Sequence, residues 1–207
     1  MNNTIRVMIV DDHPAMRTGL ALILEQSIEL EIVALAADGA EALPLYHLHQ
    51  PDVVLMDLRM PVIDGLTATI SLLNEMPEAR IIIFTSYDGD EDIYRALQAG
   101  AKSYVLKDTS IERLVEVIQA VHSGGRQLSS EIAGKLADRV YRSELTDREL
   151  DVLREISEGK TNEEIASVLN ISPGTVKTHI NHLLAKLQVS DRTQAVIVGL
   201  KRGLIHL

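Results

Sequence analysis

The chain has 207 residues, 46% of them hydrophobic, with 30 acidic and 20 basic side chains and a formal net charge of −10. This is the profile of a globular protein with room for two small domains, and it excludes a disordered or fibrous chain. The lack of cysteine excludes disulfides, thiolate metal sites and cysteine nucleophiles. The acidic total opposes nucleic-acid binding only until it is divided. Residues 1–142 carry a net −9 and residues 143–207 a net −1, while 170–207, with Lys177, Lys186, Arg192, Lys201 and Arg202 against Asp191, carry +4.

The first apolar run, Ile5–Val10, ends abruptly at Asp11-Asp12 and is too short for a signal-peptide core or a membrane span. It reads as a buried strand of a cytoplasmic protein that meets no membrane. Further apolar runs follow at Glu31–Leu35, Val53–Met56, Ile81–Phe84 and Ser103–Leu106. Between them lie stretches of helical period, such as Gly19-Leu20 to Ile23-Leu24 and Ile111, Leu114-Val115, Ile118. Five strands each followed by a helix predict an α/β fold over residues 1–123: a five-stranded parallel, doubly wound, flavodoxin-like sheet covered on both faces. Ser123-Gly124-Gly125 breaks the pattern, and 124–143 reads as a linker containing a polar helix.

Residues 144–207 have helical period only. Thr146 to Glu149 and Thr161 to Glu164 are capping boxes, and Ser172-Pro173 supplies an N-cap followed by proline at the first helical position. The helix from Pro173 to Leu187 buries Val176, Ile180, Leu183, Leu184 and Leu187 and turns Thr178, Asn181 and Ala185 outward, flanked by Lys177 and Lys186. Such an outer face suits base reading, since Lys and Asn reach base edges and Thr touches a thymine methyl. A solvated helix face with two lysines is the plain alternative on pattern alone.

In a parallel sheet, functional groups gather at the carboxyl ends of the strands. Asp11 and Asp12 follow the first strand, Asp57 the third, Thr85 the fourth and Lys107 the fifth. A single aspartate after a strand is ordinarily a turn former, as Asp64 before Gly65 is, but five matching positions on four strands form a constellation. Two carboxylates about 4 Å apart repel by roughly 4 kcal/mol at an effective dielectric near 20, so the cluster needs a cation. Carboxylate oxygens and water suit Mg²⁺, and with Mg²⁺ and Lys107 absorbing charge, Asp57 is placed to attack phosphorus.

The motifs Val10-Asp11-Asp12-His13, Leu55-Met56-Asp57-Leu58-Arg59-Met60-Pro61, Asp64-Gly65, Phe84-Thr85-Ser86 and Tyr104-Val105-Leu106-Lys107 resemble those of response-regulator receiver domains. So do the intervals of 46, 28 and 22 residues separating Asp11, Asp57, Thr85 and Lys107. The resemblance implies that Asp57 is the phosphoacceptor and that Asp11, Asp12, Asp57 and the Arg59 backbone carbonyl bind Mg²⁺. It also implies that Thr85 and Tyr104 form a switch and that Lys107 contacts the phosphoryl group. Two departures are visible: Asp108 stands where many receivers have proline, and Val62-Ile63 replaces the usual Gly-Met.

Leu145 to Glu149, Glu158 to Ala166, Thr175 to His179 and Lys186 to Ala195 resemble the four-helix, LuxR-type helix-turn-helix domain, and the combination resembles the NarL/FixJ subfamily. That likeness implies Lys177, Thr178 and Asn181 at base edges, with Thr175, His179 and Lys186 nearer the phosphates. His179 and His182 read as packing or phosphate-facing residues, since no acidic partner lies nearby in sequence. The implied partners are a sensor histidine kinase, double-stranded DNA and a second copy of the chain in a phosphorylation-promoted homodimer.

Two other classes compete. A phosphatase of the haloacid-dehalogenase type requires a second aspartate two residues after the nucleophile, where Arg59 stands. A phosphorylation-independent binding module has no use for the intact set of Asp11, Asp12, Asp57, Thr85 and Lys107.

Overall fold

The computed structural model describes residues 4–206. Their order is β1 (Ile5–Val10), α1 (Pro14–Leu24), β2 (Leu30–Ala36), α2 (Gly39–His49), β3 (Val53–Met56), α3 (Gly65–Glu75), β4 (Ile81–Thr85), α4 (Asp90–Gln98), β5 (Ser103–Leu106), α5 (Ile111–His122), β6 (Gln127–Leu128), α6 (Ser130–Val140), α7 (Asp147–Ser157), α8 (Asn162–Leu169), α9 (Pro173–Leu187) and α10 (Arg192–Lys201). The chain divides into two compact units, one of residues up to Tyr87 with Ile93–Ala133, the other of Asp88–Asp92 with Gly134 onward.

The first unit holds a parallel sheet in the order β2-β1-β3-β4-β5-β6. Six strands replace the five expected from the sequence. The additional one, Gln127–Leu128, pairs with Ser103 and Tyr104 of β5, and the Ser103 hydroxyl donates to the Gln127 carbonyl. Two residues with one apolar side chain carry no period, so this strand exists by tertiary pairing alone.

The five longer strands are predominantly apolar because helices cover both faces of the sheet, with Arg6 and Glu31 the charged exceptions on β1 and β2. Alternation splits them: Val7, Ile9, Val53, Leu55, Ile82, Phe84 and Val105 pack with Leu20, Leu24, Leu114, Ile118 and Val121 of α1 and α5. Met8, Val10, Val54, Met56, Ile81, Ile83 and Tyr104, the alternate positions, are buried on the opposite face. The strand order reverses between β1 and β3, the crevice where open α/β sheets place their ligands.

The second unit packs α7 to α10 about a core that includes Val152, Leu153, Ile165, Val176, Leu183, Leu187, Ala195 and Ile205. Thr146 and Thr161 close capping boxes with Glu149 and Glu164, as their spacing predicts. Asn170, at φ 53, ends α8 in the left-handed conformation, and Ser172 two residues on accepts from the Thr175 N–H to begin α9. Among the described residues, no helix is long and apolar enough to cross a membrane.

Candidate functional site: an acidic cleft and an exposed helix

Strand pairing sets the backbone of the cleft. The Asp57 N–H donates to the Val10 carbonyl (2.8 Å), the Asp11 N–H to Ala36 (3.1 Å), and the Lys107 N–H to Thr85 (2.9 Å). Asp11, Asp57 and Lys107 are thereby delivered to one end of the sheet, after β1, β3 and β5. Lys107 Nζ donates to Asp57 Oδ2 at 2.6 Å and lies 2.8 Å from Asp11 Oδ2. Asp11 and Asp57 are 2% and 4% exposed, too dry for two like charges to coexist without that ammonium. Burial pushes the Lys107 ammonium toward deprotonation, but its hydrogen bonds and charge attraction to Asp11 and Asp57 outweigh burial and raise its pKa above the usual lysine value.

Asp57 Oδ1 accepts the Leu58 N–H at 2.7 Å, which fixes the carboxylate plane. The loop beyond is compressed against it: the Gly65 N–H donates to the Leu58 carbonyl at 2.9 Å, and a Cβ on Gly65 would lie 1.8 Å from the Asp57 carbonyl oxygen. Glycine at 65 is therefore a condition for Asp57's position. Asp64, just before it, caps α3 through the Thr67 N–H, the turn-forming role expected of it.

Asp12 stands at the rim, its side chain 26% exposed. Its Oδ1 is nevertheless buried and accepts no hydrogen bond, and Asp11 Oδ2 accepts none of ordinary geometry despite the nearby ammonium. Uncommitted lone pairs on carboxylate oxygens are the donor set a hard divalent cation requires. Asp11, Asp12, His13 and Asp57 each offer one ligand atom, and these atoms all lie within 4.8 Å of one another.

Thr85 is fully buried at the end of β4, and Tyr104 is 1% exposed on β5. Tyr87 joins them: its N–H meets Thr85 Oγ1 at 3.5 Å, and its carbonyl accepts the Tyr104 hydroxyl at 2.7 Å. The Arg59 guanidinium lies 5.6 Å from the Tyr87 ring centroid, a cation–π arrangement. No motif spacing marks Tyr87, because two of its contacts use the main chain.

In the second unit α9 has the two faces its period predicts. Val176, Leu183 and Leu187 are buried and Ile180 and Leu184 half-buried against the core, while Thr175, Lys177, Thr178, Asn181 and His182 are exposed and His179 is half-buried. Lys186 is less free than its sequence position implied, since its Nζ donates to Glu149 Oε2 at 2.7 Å. Glu149 is buried and already accepts the Thr146 N–H at 2.8 Å. Burial pushes the Glu149 carboxyl up, but hydrogen bonds from Lys186 and Thr146 outweigh it and hold the pKa below the usual value.

Residues 7–119 match the response regulator receiver domain, and residues 143–198 match the luxR family of bacterial regulatory proteins. The chain belongs to the response regulators with a LuxR-type DNA-binding domain. This response regulator is 41% identical over 210 residues to the transcriptional regulatory protein LiaR of Bacillus subtilis strain 168 (98% of this chain, 100% of the relative). It is 39% identical over 208 residues to the response regulator protein VraR of Staphylococcus aureus, again over 98% and 100%. Its fold is similar to that of RcsB from Salmonella enterica serovar Typhimurium bound to a promoter in the presence of phosphomimetic BeF3⁻. There the TM-score is 0.73 at 25% identity, over 96% of this chain and 99% of that one. The regulator is thus a two-component transcription factor.

Proposed function

We propose that a sensor histidine kinase phosphorylates Asp57 and that this controls DNA binding by residues 144–207, with residues 1–123 as receiver and 124–143 as linker. The observation that carries the proposal is the Lys107 ammonium held between Asp11 and Asp57. An Asp57 oxygen attacks the phosphorus of a phosphohistidine; the P–N bond breaks, and the imidazole leaves with the electron pair and takes up a proton. Asp11, Asp12, Asp57 and the Arg59 carbonyl would hold Mg²⁺, which when bound supplies positive charge to the phosphoryl oxygens.

The new group adds about −1.5 to −2 charge. Lys107 follows that charge from the Asp57 carboxylate to the phosphoryl oxygens, and the Thr85 hydroxyl donates to another of them. Tyr87 and Tyr104, hydrogen-bonded to each other beside Thr85, carry the shift toward the surface. The required coupling is small, typically 1–3 kcal/mol. It promotes a homodimer that presents two α9 helices to successive major grooves of double-stranded DNA in the cytoplasm. In that complex Lys177, Thr178 and Asn181 face base edges, and Thr175, His179 and Lys186 lie nearer the phosphates.

Beryllofluoride or acetyl phosphate with Mg²⁺ is expected to increase dimerisation, read by light scattering, and operator affinity, read by mobility shift. Asp57→Ala should abolish both responses. Equal responses in the variant would overturn the phosphoacceptor assignment.

A further inference from the structure

His13 precedes α1 as its N-cap residue, yet its side chain caps nothing. Its own N–H donates to Asp11 Oδ1 at 2.8 Å, which anchors the residue to the acidic cleft instead. The imidazole Nδ1 then lies 2.8 Å from Asp12 Oδ1 and 3.6 Å from Asp11 Oδ1. For metal bonds of about 2.1 Å, neighbouring octahedral ligands are roughly 3.0 Å apart and opposite ones roughly 4.2 Å. The three aspartates and His13 present one atom each within 4.8 Å of every other, so shifts of a few tenths of an ångström bring all four around one ion. Asp11 Oδ2 and Asp12 Oδ1 are both buried, and each faces a nitrogen at 2.8 Å, Lys107 Nζ and His13 Nδ1 respectively.

A nitrogen donor changes which ion such a site prefers. Mg²⁺ favours oxygen ligands and keeps its waters, whereas affinity for a site with a nitrogen donor rises along the first-row divalent ions from Mn²⁺ onward. We propose that His13 is a further protein ligand of the acidic cleft, its one nitrogen donor, and biases it from Mg²⁺ toward the first-row transition ions that begin with Mn²⁺. The inference rests on the reading that the cleft binds a divalent cation. The His13 side chain is 71% exposed, so the ring has room to turn its Nδ1 lone pair onto an ion.

The test uses the full chain and Mn²⁺ as the probe. Electron paramagnetic resonance of free Mn²⁺ gives its affinity, and competition gives that of Mg²⁺. Replacing His13 by alanine should reduce the Mn²⁺-over-Mg²⁺ preference about tenfold, within the range that metal-site partners ordinarily contribute. An unchanged circular dichroism spectrum and urea midpoint for His13→Ala report that the variant is folded. Pulsed resonance on the wild-type Mn²⁺ complex should show a directly bound nitrogen that disappears in His13→Ala. Tight Mn²⁺ binding without nitrogen coupling, or an unchanged preference, would overturn the role of His13 and leave the carboxylate site standing. If Mn²⁺ does not bind, or binds equally well to Asp57→Ala, the cation reading of the cleft falls and this proposal falls with it.

Discussion

Val62 is a β-branched residue at φ 65, in the left-handed region that such side chains avoid. The Ile63 N–H donates to the Pro61 carbonyl at 2.8 Å, closing a three-residue γ-turn of the rare positive-φ kind around it. The side chain is 83% exposed, so burial does not compensate the strain. Left-handed backbone costs an L-residue about 1–2 kcal/mol, and glycine's extra freedom in the unfolded chain costs roughly 0.5–1 kcal/mol. Val62→Gly is therefore expected to stabilise the receiver by about 0.5–1 kcal/mol, read as a higher urea midpoint; a lower midpoint would show that Val62 contributes contacts that outweigh its strain. The departure from the family's glycine was visible in the sequence, but its conformational consequence was not, since the same substitution is compatible with a rebuilt loop. His13 illustrates the same limit. It belongs to the quoted motif, yet only coordinates bring its Nδ1 to 2.8 Å from Asp12.

At the level of elements, two identical-looking capping boxes behave differently. Glu164 is exposed and serves its own helix, whereas Glu149 is buried and receives Lys186 from α9 across 37 residues of sequence. The Glu149 carboxylate therefore fastens α9 to α7 as well as capping α7. Because its pKa in the folded protein lies below the usual carboxylate value, the stability it contributes is present above the ordinary glutamate range and is lost as pH falls through the folded value. Glu149→Gln keeps an acceptor for Thr146 but removes the charge facing Lys186, and should destabilise the DNA-binding unit by about 1–2 kcal/mol at neutral pH. The difference from wild type should shrink in acid, as pH falls from the ordinary glutamate range through the lower folded value and the carboxylate is neutralised in the wild-type protein too. Denaturant unfolding followed by circular dichroism at the two pH values checks both parts, with Glu164→Gln as the milder control; a pH-independent difference would mean that lost packing, not charge, sets the effect. Capping boxes are legible because both partners lie within four residues. The Lys186 tie is set by helix packing, as is β6, and neither leaves a local pattern. Strands β1, β3 and β5 were readable to the residue because an apolar run bounded by polar residues marks burial on both faces.

For the whole molecule the relevant quantity is where charge resides along the chain. A net −10 predicts weak attraction to a polyanion, yet residues 170–207 hold a net +4 and include every DNA-facing candidate. Binding should therefore depend on a few cations, each releasing counterions from the duplex, and the affinity should fall with salt more gently than for a strongly basic protein. The candidates then separate by mechanism. Lys177 is an exposed cation proposed to face a base edge, so its replacement by alanine should weaken operator binding more than binding to scrambled duplex and also reduce the log–log salt slope by about 1. Asn181 is exposed one turn further along the same face but uncharged, so Asn181→Ala should alter preference at one operator position and leave the slope unchanged. Lys186 requires a stability control, because removing it strips Glu149 of its partner as well as the DNA of a cation. Fluorescence anisotropy on specific and scrambled duplexes at several salt concentrations distinguishes these outcomes. Unchanged operator affinity and salt slope for Lys177→Ala would remove that lysine from the DNA contacts, and with it the assignment of this helix face to DNA.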